Sequence, residues 1–251
     1  MTTLDSDWKL RYSRHLALPE FGAAAQEQLA AARVLLLGLG GLNSPAALYL
    51  AAAGVGRLLL NDFDRVDASN LQRQILYADA TVGESKTEAA AAAVQAINPA
   101  CWTEQLEGRL DRESLAKALD RCDLVLDGSD NFGTRFTVNA ACMAAGKPLV
   151  SGAAIRYEGQ ILVIDPRNPA SPCYACLFEE SGEGLEDCRR NGVLGPLTGV
   201  IGSLMAVEAV KLLTGVGQPL TGRLLRYDAL SGGFQYSLFK KDPACPVCSR
   251  R

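Results

Sequence analysis

Apolar residues along this chain come in two rhythms. Short aliphatic runs at Arg33–Leu37 (RVLLL), 57–61 (RLLLN) and 123–126 (DLVL) lack polar alternation and are bounded by glycine or charge. Runs of this kind read as strands buried on both faces. Between them lie longer stretches with helical spacing, at 44–53, 86–97, 111–119 and 131–145. Pro45 falls in a first helical turn, where its missing N–H costs nothing. Gly54 and Gly56 end that helix, and Pro99 stops the alanine-rich one at 86–97. Short strands are expected at 102–107 and 148–150, and helices over 8–32. Strand and helix in alternation imply a doubly wound, mostly parallel α/β sheet with helices on both faces.

The rhythm changes at Ile155. "IRYEGQILVID" alternates in period two and reads as a hairpin, so the sheet continues into antiparallel strands. Residues 177–195, "LFEESGEGLEDCRRNGVLG", are charged and glycine-rich and read as a mobile loop. A long apolar helix is expected over 196–213, then strands near 223–227 and 234–239. No repeat or low-complexity linker interrupts the pattern. One domain over 1–251 follows, with N-terminal helices (8–32), a first half at 33–152 and a second at 153–251.

Composition narrows the class. The net charge is −3 and there is no Lys/Arg run, which argues against a nucleic-acid partner. No apolar run reads as the roughly 20 residues a membrane span needs. The polar N-terminus, MTTLDSDWKLRYSRHL, has no apolar signal core. A cytoplasmic protein is expected. Eight cysteines in that setting rarely mean disulfides. Cys173-x-x-Cys176 and Cys245-x-x-Cys248 supply the two thiolate pairs of a tetrahedral Zn²⁺ site, beside turn-forming Pro172 and Pro246. Redox pairs or plain buried thiols are the alternatives.

In a doubly wound sheet the loops after the strands' carboxyl ends share one edge, and ligands bind there. The first such loop, "GLGGLN", places Gly38, Gly40 and Gly41 before a helix N-terminus, where backbone N–H groups can approach a phosphate. Asp62 stands roughly 20 residues further on, at the spacing of an acid that accepts ribose hydroxyls. A third loop, "DGSDN", carries Asp127 and Asp130. Arg73 and Lys86 add cations suited to a triphosphate, and Asp130 offers oxygen for Mg²⁺. Together they favour ATP over a dinucleotide. Asn43 occupies the sixth fingerprint position, normally glycine. It is a good capping residue, and its added volume is expected to weaken ATP binding.

"RYSRHL", "GLGGLNSPAALYLAAAGVG", "DFDRVDASNLQRQ", "VGESK", "DLVLDGSDNFGTR", "VSGAAIRYEGQ", both CxxC pairs and "GVLGPLTGVIGSLMAVEAVKLL" together resemble the bacterial E1-like adenylyltransferases of the MoeB/ThiF family. The match spans roughly 8–249. The resemblance implies a Rossmann-like fold and ATP-dependent adenylation of the C-terminal Gly-Gly of a small ubiquitin-like sulfur carrier. It leans toward the molybdopterin branch over the thiamine branch. It assigns Gly41 to the nucleotide loop, Asp62 to the ribose, and Asn70, Arg73 and Lys86 to the phosphates. Asp130 becomes the acid needed with Mg²⁺, and Arg14 would reach the ATP of the other subunit of a homodimer. The carrier's tail would pass under the loop at 177–195, with its globular part on an exposed sheet face. A sulfur donor of cysteine desulfurase or rhodanese type would follow. Cys188, beside Arg189 and Arg190, is a candidate for covalent attachment or a bystander thiol. The chain departs from the family at His15, usually Gln, and at Asn43. A nicotinamide-dependent oxidoreductase and a non-catalytic zinc scaffold remain open on the residues alone.

Overall fold

The computed structural model describes residues 6–106, 108–179 and 191–249. Among them one sheet of eight strands runs in the order β3-β2-β1-β4-β5-β6-β7-β8. Strands β1 (Arg33–Leu37), β2 (Arg57–Asn61), β3 (Trp102–Leu106), β4 (Leu124–Asp127) and β5 (Leu149–Ile155) are parallel. Strands β6 (Glu158–Ile164), β7 (Arg223–Asp228) and β8 (Gly233–Leu238) continue the sheet antiparallel.

Successive strand residues face opposite sides. Val34, Leu36, Leu58, Leu60, Leu124 and Leu126 enter one core, with α3 (Gly22–Ala31), α4 (Asn43–Ala53), α5 (Lys86–Ile97) and α8 (Gly195–Thr214). Leu35, Leu37, Leu59 and Val125 enter the other, with α6 (Arg112–Leu119) and α7 (Phe132–Ala145). This two-sided burial is why the central strands carry no polar alternation. Ahead of them, α1 (Ser6–Arg11) and α2 (Ser13–Leu16) flank Tyr12, which is buried and accepts a 2.9 Å hydrogen bond from Asn98 Nδ2.

Two expectations change. Residues 148–150 and the first arm of the hairpin are one strand, β5, paired with β4 on one side and β6 on the other. The small residues of "SGAA" between them belong to the strand, and α8 lies directly over them. A Cβ on Gly152 would overlap the Met205 sulfur. Second, α8 is by length and composition apolar enough to cross a membrane, which the sequence pattern alone did not suggest. Half of that window is buried in the fold, where Leu197, Ile201, Met205, Ala209 and Leu212 face the sheet core at helical spacing. Of the stretch expected as a mobile loop, 180–190, including Cys188, lies outside the described residues. Val193 bridges to Arg156 at the hairpin turn, and Leu194 N–H donates to the Arg156 carbonyl at 2.9 Å.

Candidate active site and metal centre

The carboxyl ends of β1, β2 and β4 open on a cleft of about 1190 Å³. Gly38, Gly40, Gly41, Asp62, Asn70, Arg73, Lys86 and Asp130 all line it. Gly38 has φ 75°, a left-handed backbone that glycine adopts without strain, and it sits against the Gly128 backbone. A Cβ on Gly41 would lie 3.0 Å from Thr198 Oγ1 of α8. The glycines therefore admit close neighbours as well as a ligand.

Asp62 closes the floor. Its Oδ2 accepts the Leu39 N–H at 2.7 Å and its Oδ1 the Asp64 N–H at 2.9 Å. It thereby fixes the glycine loop to the end of β2. Lys86, at the start of α5, is buried, with Nζ 3.2 Å from Asp64 Oδ2 and 3.9 Å from Asp62 Oδ2. Asp64 has a role the sequence reading missed. Its signal is the second acid of "DFD" directly after β2. Arg73 lies on the rim, Nη1 donating to the Ser69 carbonyl at 3.1 Å. Asn70 Nδ2 donates to Ser69 Oγ at 3.2 Å. Asp130 is exposed at the end of the β4 loop. Arg14 is exposed on α2 and does not line the cleft of its own chain.

Asn43 is corrected. It neither caps the helix nor enters the cleft: Leu42 holds the cap position, and the Asn43 side chain is fully buried. Its Nδ2 donates to the carbonyls of Gly38 (2.8 Å) and Leu37 (3.0 Å), with the Leu126 carbonyl at 3.4 Å. Carbonyls at the ends of two neighbouring strands draw the amide inward, so it braces β1 against β4 from beneath the loop.

Behind Asp130, Asp127 is completely buried, and burial raises its carboxyl above the usual carboxylate range. The nearby Arg135 charge opposes that shift. On the same face, the sulfurs of Cys173, Cys176, Cys245 and Cys248 lie within 4.8 Å of one another. The pairs Cys173–Cys176, Cys173–Cys245 and Cys176–Cys248 are 3.9, 3.6 and 3.3 Å apart. A tetrahedral Zn²⁺ with bonds of about 2.3 Å spaces its sulfurs by about 3.8 Å, so the set fits the ion with small adjustments. Burial pushes the Cys173 and Cys248 thiols up, and a cation would have to offset that. The cluster can hold zinc. Cys101, Cys122 and Cys142 are buried core thiols.

The chain matches the ThiF family over residues 12–247 and belongs to it. It is 47% identical over 250 residues to the molybdopterin-synthase adenylyltransferase of Escherichia coli, covering the full length of both. It is 45% identical over 243 residues to the sulfur carrier protein adenylyltransferase of Thermus thermophilus, covering 95% of this chain and 90% of that one. The crystal structure of E. coli MccB with ATP superposes with a TM-score of 0.84 at 22% identity, over 98% of this chain and 75% of that one, which establishes the shared fold.

Proposed function

We propose that this chain uses ATP to adenylate the C-terminal Gly-Gly carboxylate of a small ubiquitin-like sulfur-carrier protein, releasing pyrophosphate, as a step toward molybdopterin. Full-length identity to an enzyme of that name carries the reading. The cleft supports it, because it gathers a glycine loop, two cations and an exposed acid at one sheet edge.

The carrier's carboxylate is ionised at neutral pH and attacks the α-phosphorus directly, so no protein nucleophile is needed. Asp62 keeps the glycine loop open-handed toward the phosphates and is placed for the ribose. Lys86 and Arg73 neutralise charge as pyrophosphate departs, with Asn70 as a neutral donor. Arg14 of the partner copy in a homodimer would add a further cation. Mg²⁺, arriving with ATP, supplies additional charge neutralisation, and Asp130 is the residue to hold it. Zn²⁺ on the four cysteines serves the fold.

The edge strand β8 exposes Phe234, Tyr236 and Leu238 in alternation, a one-sided apolar face for the carrier's globular part. A cysteine desulfurase or rhodanese-type donor would then convert the acyl-adenylate to a thiocarboxylate. Such chemistry belongs in the cytoplasm. The test is ATP–pyrophosphate exchange with candidate carriers ending in Gly-Gly. Exchange that depends on a molybdopterin-branch carrier is expected. Exchange only with a thiamine-branch carrier moves the pathway, and NAD binding without ATP binding overturns the reading.

A further inference from the structure

Asp130 stands on the cleft rim, but the groups that aim it are buried behind it. The Ser129 N–H donates to Asp127 Oδ1 at 3.0 Å. The Ser129 carbonyl accepts from Arg135 Nη2 at 2.7 Å and Nε at 3.2 Å. The peptide joining Ser129 to Asp130 is therefore held by the fork of a guanidinium. Arg135 is 6% exposed, and Asp127 Oδ2 is buried without a hydrogen-bond partner.

Arg135 also shares its helix with the residues that hold the metal centre. Tyr174 sits inside the knuckle Cys173–Cys176, between two of the cysteines. Its N–H donates to Asn139 Oδ1 at 3.0 Å, one turn along α7 from Arg135. Its ring packs on Phe136 and Phe178, with centroids 5.1 and 4.6 Å away. One helix, α7, thus grips the knuckle with one residue and the Asp130 loop with another.

We propose that Arg135 is the positioning residue for Asp130, and that the four-cysteine metal knuckle sets Arg135 through the grip of Tyr174 on α7, so that metal occupancy and Mg²⁺–nucleotide binding favour each other. The part concerning nucleotide rests on the function proposed above. Coupling of this kind is reciprocal: if the metal tightens nucleotide binding, nucleotide must retain the metal by the same factor.

The experiment follows zinc release from the full-length, metal-loaded protein to a chromogenic chelator, with and without ATP and Mg²⁺. Calorimetry on the same samples reports ATP binding. ATP with Mg²⁺ should slow release about fivefold or more, the lower end of ordinary coupling. Asn139→Ala, which removes the acceptor of the Tyr174 N–H, should bind one zinc yet lose most of that slowing. Arg135→Lys keeps the charge and loses the fork. It should weaken the Mg²⁺ dependence of ATP binding about tenfold while Mg²⁺-free ATP binding stays unchanged, a split a merely structural residue would not give. Release indifferent to bound nucleotide overturns the coupling, as does a protein that carries no zinc. Full slowing in Asn139→Ala overturns the route through α7. Loss of ATP binding in the parent protein instead overturns the function on which this rests.

Discussion

Asn43→Ala tests the nucleotide loop most directly, because two readings of one side chain predict opposite results. If the amide crowds the phosphates, removing it tightens ATP binding. The structure places it instead under the loop, holding the Gly38 and Leu37 carbonyls at 2.8 and 3.0 Å. Each such bond contributes about 0.5–1.5 kcal/mol net. The Leu37 carbonyl also accepts the Gly128 N–H at 3.0 Å, so only the Gly38 carbonyl loses its side-chain partner without a replacement among the described bonds. Against this, Asn43 Oδ1 is buried and unpartnered, and deleting it recovers part of a desolvation cost of about 1–3 kcal/mol. A small cavity remains and adds to the loss. The balance is a destabilisation of about 1–2 kcal/mol, or about 2–8 °C in Tm for a chain of this size. Urea denaturation reads the first, and calorimetric titration with ATP reads the effect on binding. ATP affinity should stay within about threefold, since 1.4 kcal/mol would be needed for tenfold. A variant that melts no lower and binds ATP tenfold tighter would refute the brace and restore the crowding account.

Asp130→Ala should abolish carrier-dependent pyrophosphate exchange while Tm stays within about 2 °C, since a solvent-exposed substitution changes stability little. Elemental analysis should find one zinc per chain, and a strong chelator should lower Tm, because metal binding is coupled to folding; protein prepared without chelator and free of zinc would contradict this. If Arg14 serves the neighbouring subunit's site, mixing inactive Arg14→Ala with inactive Asp130→Ala under subunit exchange should restore about a quarter of wild-type activity, since half the dimers then carry one intact site; no recovery would place Arg14 in its own chain's site. Burial raises the Asp123 carboxyl, but bonds and charge from Arg33 at 2.8 and 3.1 Å outweigh it, and the net shift is downward. Stability from that pair is present above the unfolded carboxylate range and lost as pH falls through the lower folded pKa, so Asp123→Asn should flatten the acid limb of a Tm-versus-pH curve.

The aliphatic runs made the parallel half legible, because strands buried on both faces leave no ambiguity of period. Arg33–Leu37 appears in the structure with the boundaries its sequence suggests. The cleft residues were legible because topology alone brings strand ends to one edge. What sequence could not reveal was direction. Asn43 reads equally well as a cap, an obstruction or a brace until the Leu37 and Gly38 carbonyls are placed beside it. Arg135 and Tyr174, far apart in the chain, carry no shared pattern, and only the packing of α7 brings them together.

Lys86 shows why placement matters to chemistry as well as to fold. Lys86 has 4% of its surface exposed, and Asp62 and Asp64 face its ammonium group before any ligand arrives. The two acids are not equivalent. Both oxygens of Asp62 are committed to backbone N–H groups of the loop and of Asp64. Asp64 is half exposed and holds Lys86 through one oxygen. A phosphate entering the cleft can therefore take the place of Asp64 at Nζ without disturbing the loop, whereas displacing Asp62 would release Leu39 and with it the glycine turn. The cation is held aimed at the cleft, and surrendering its exposed partner costs little because that partner returns to water.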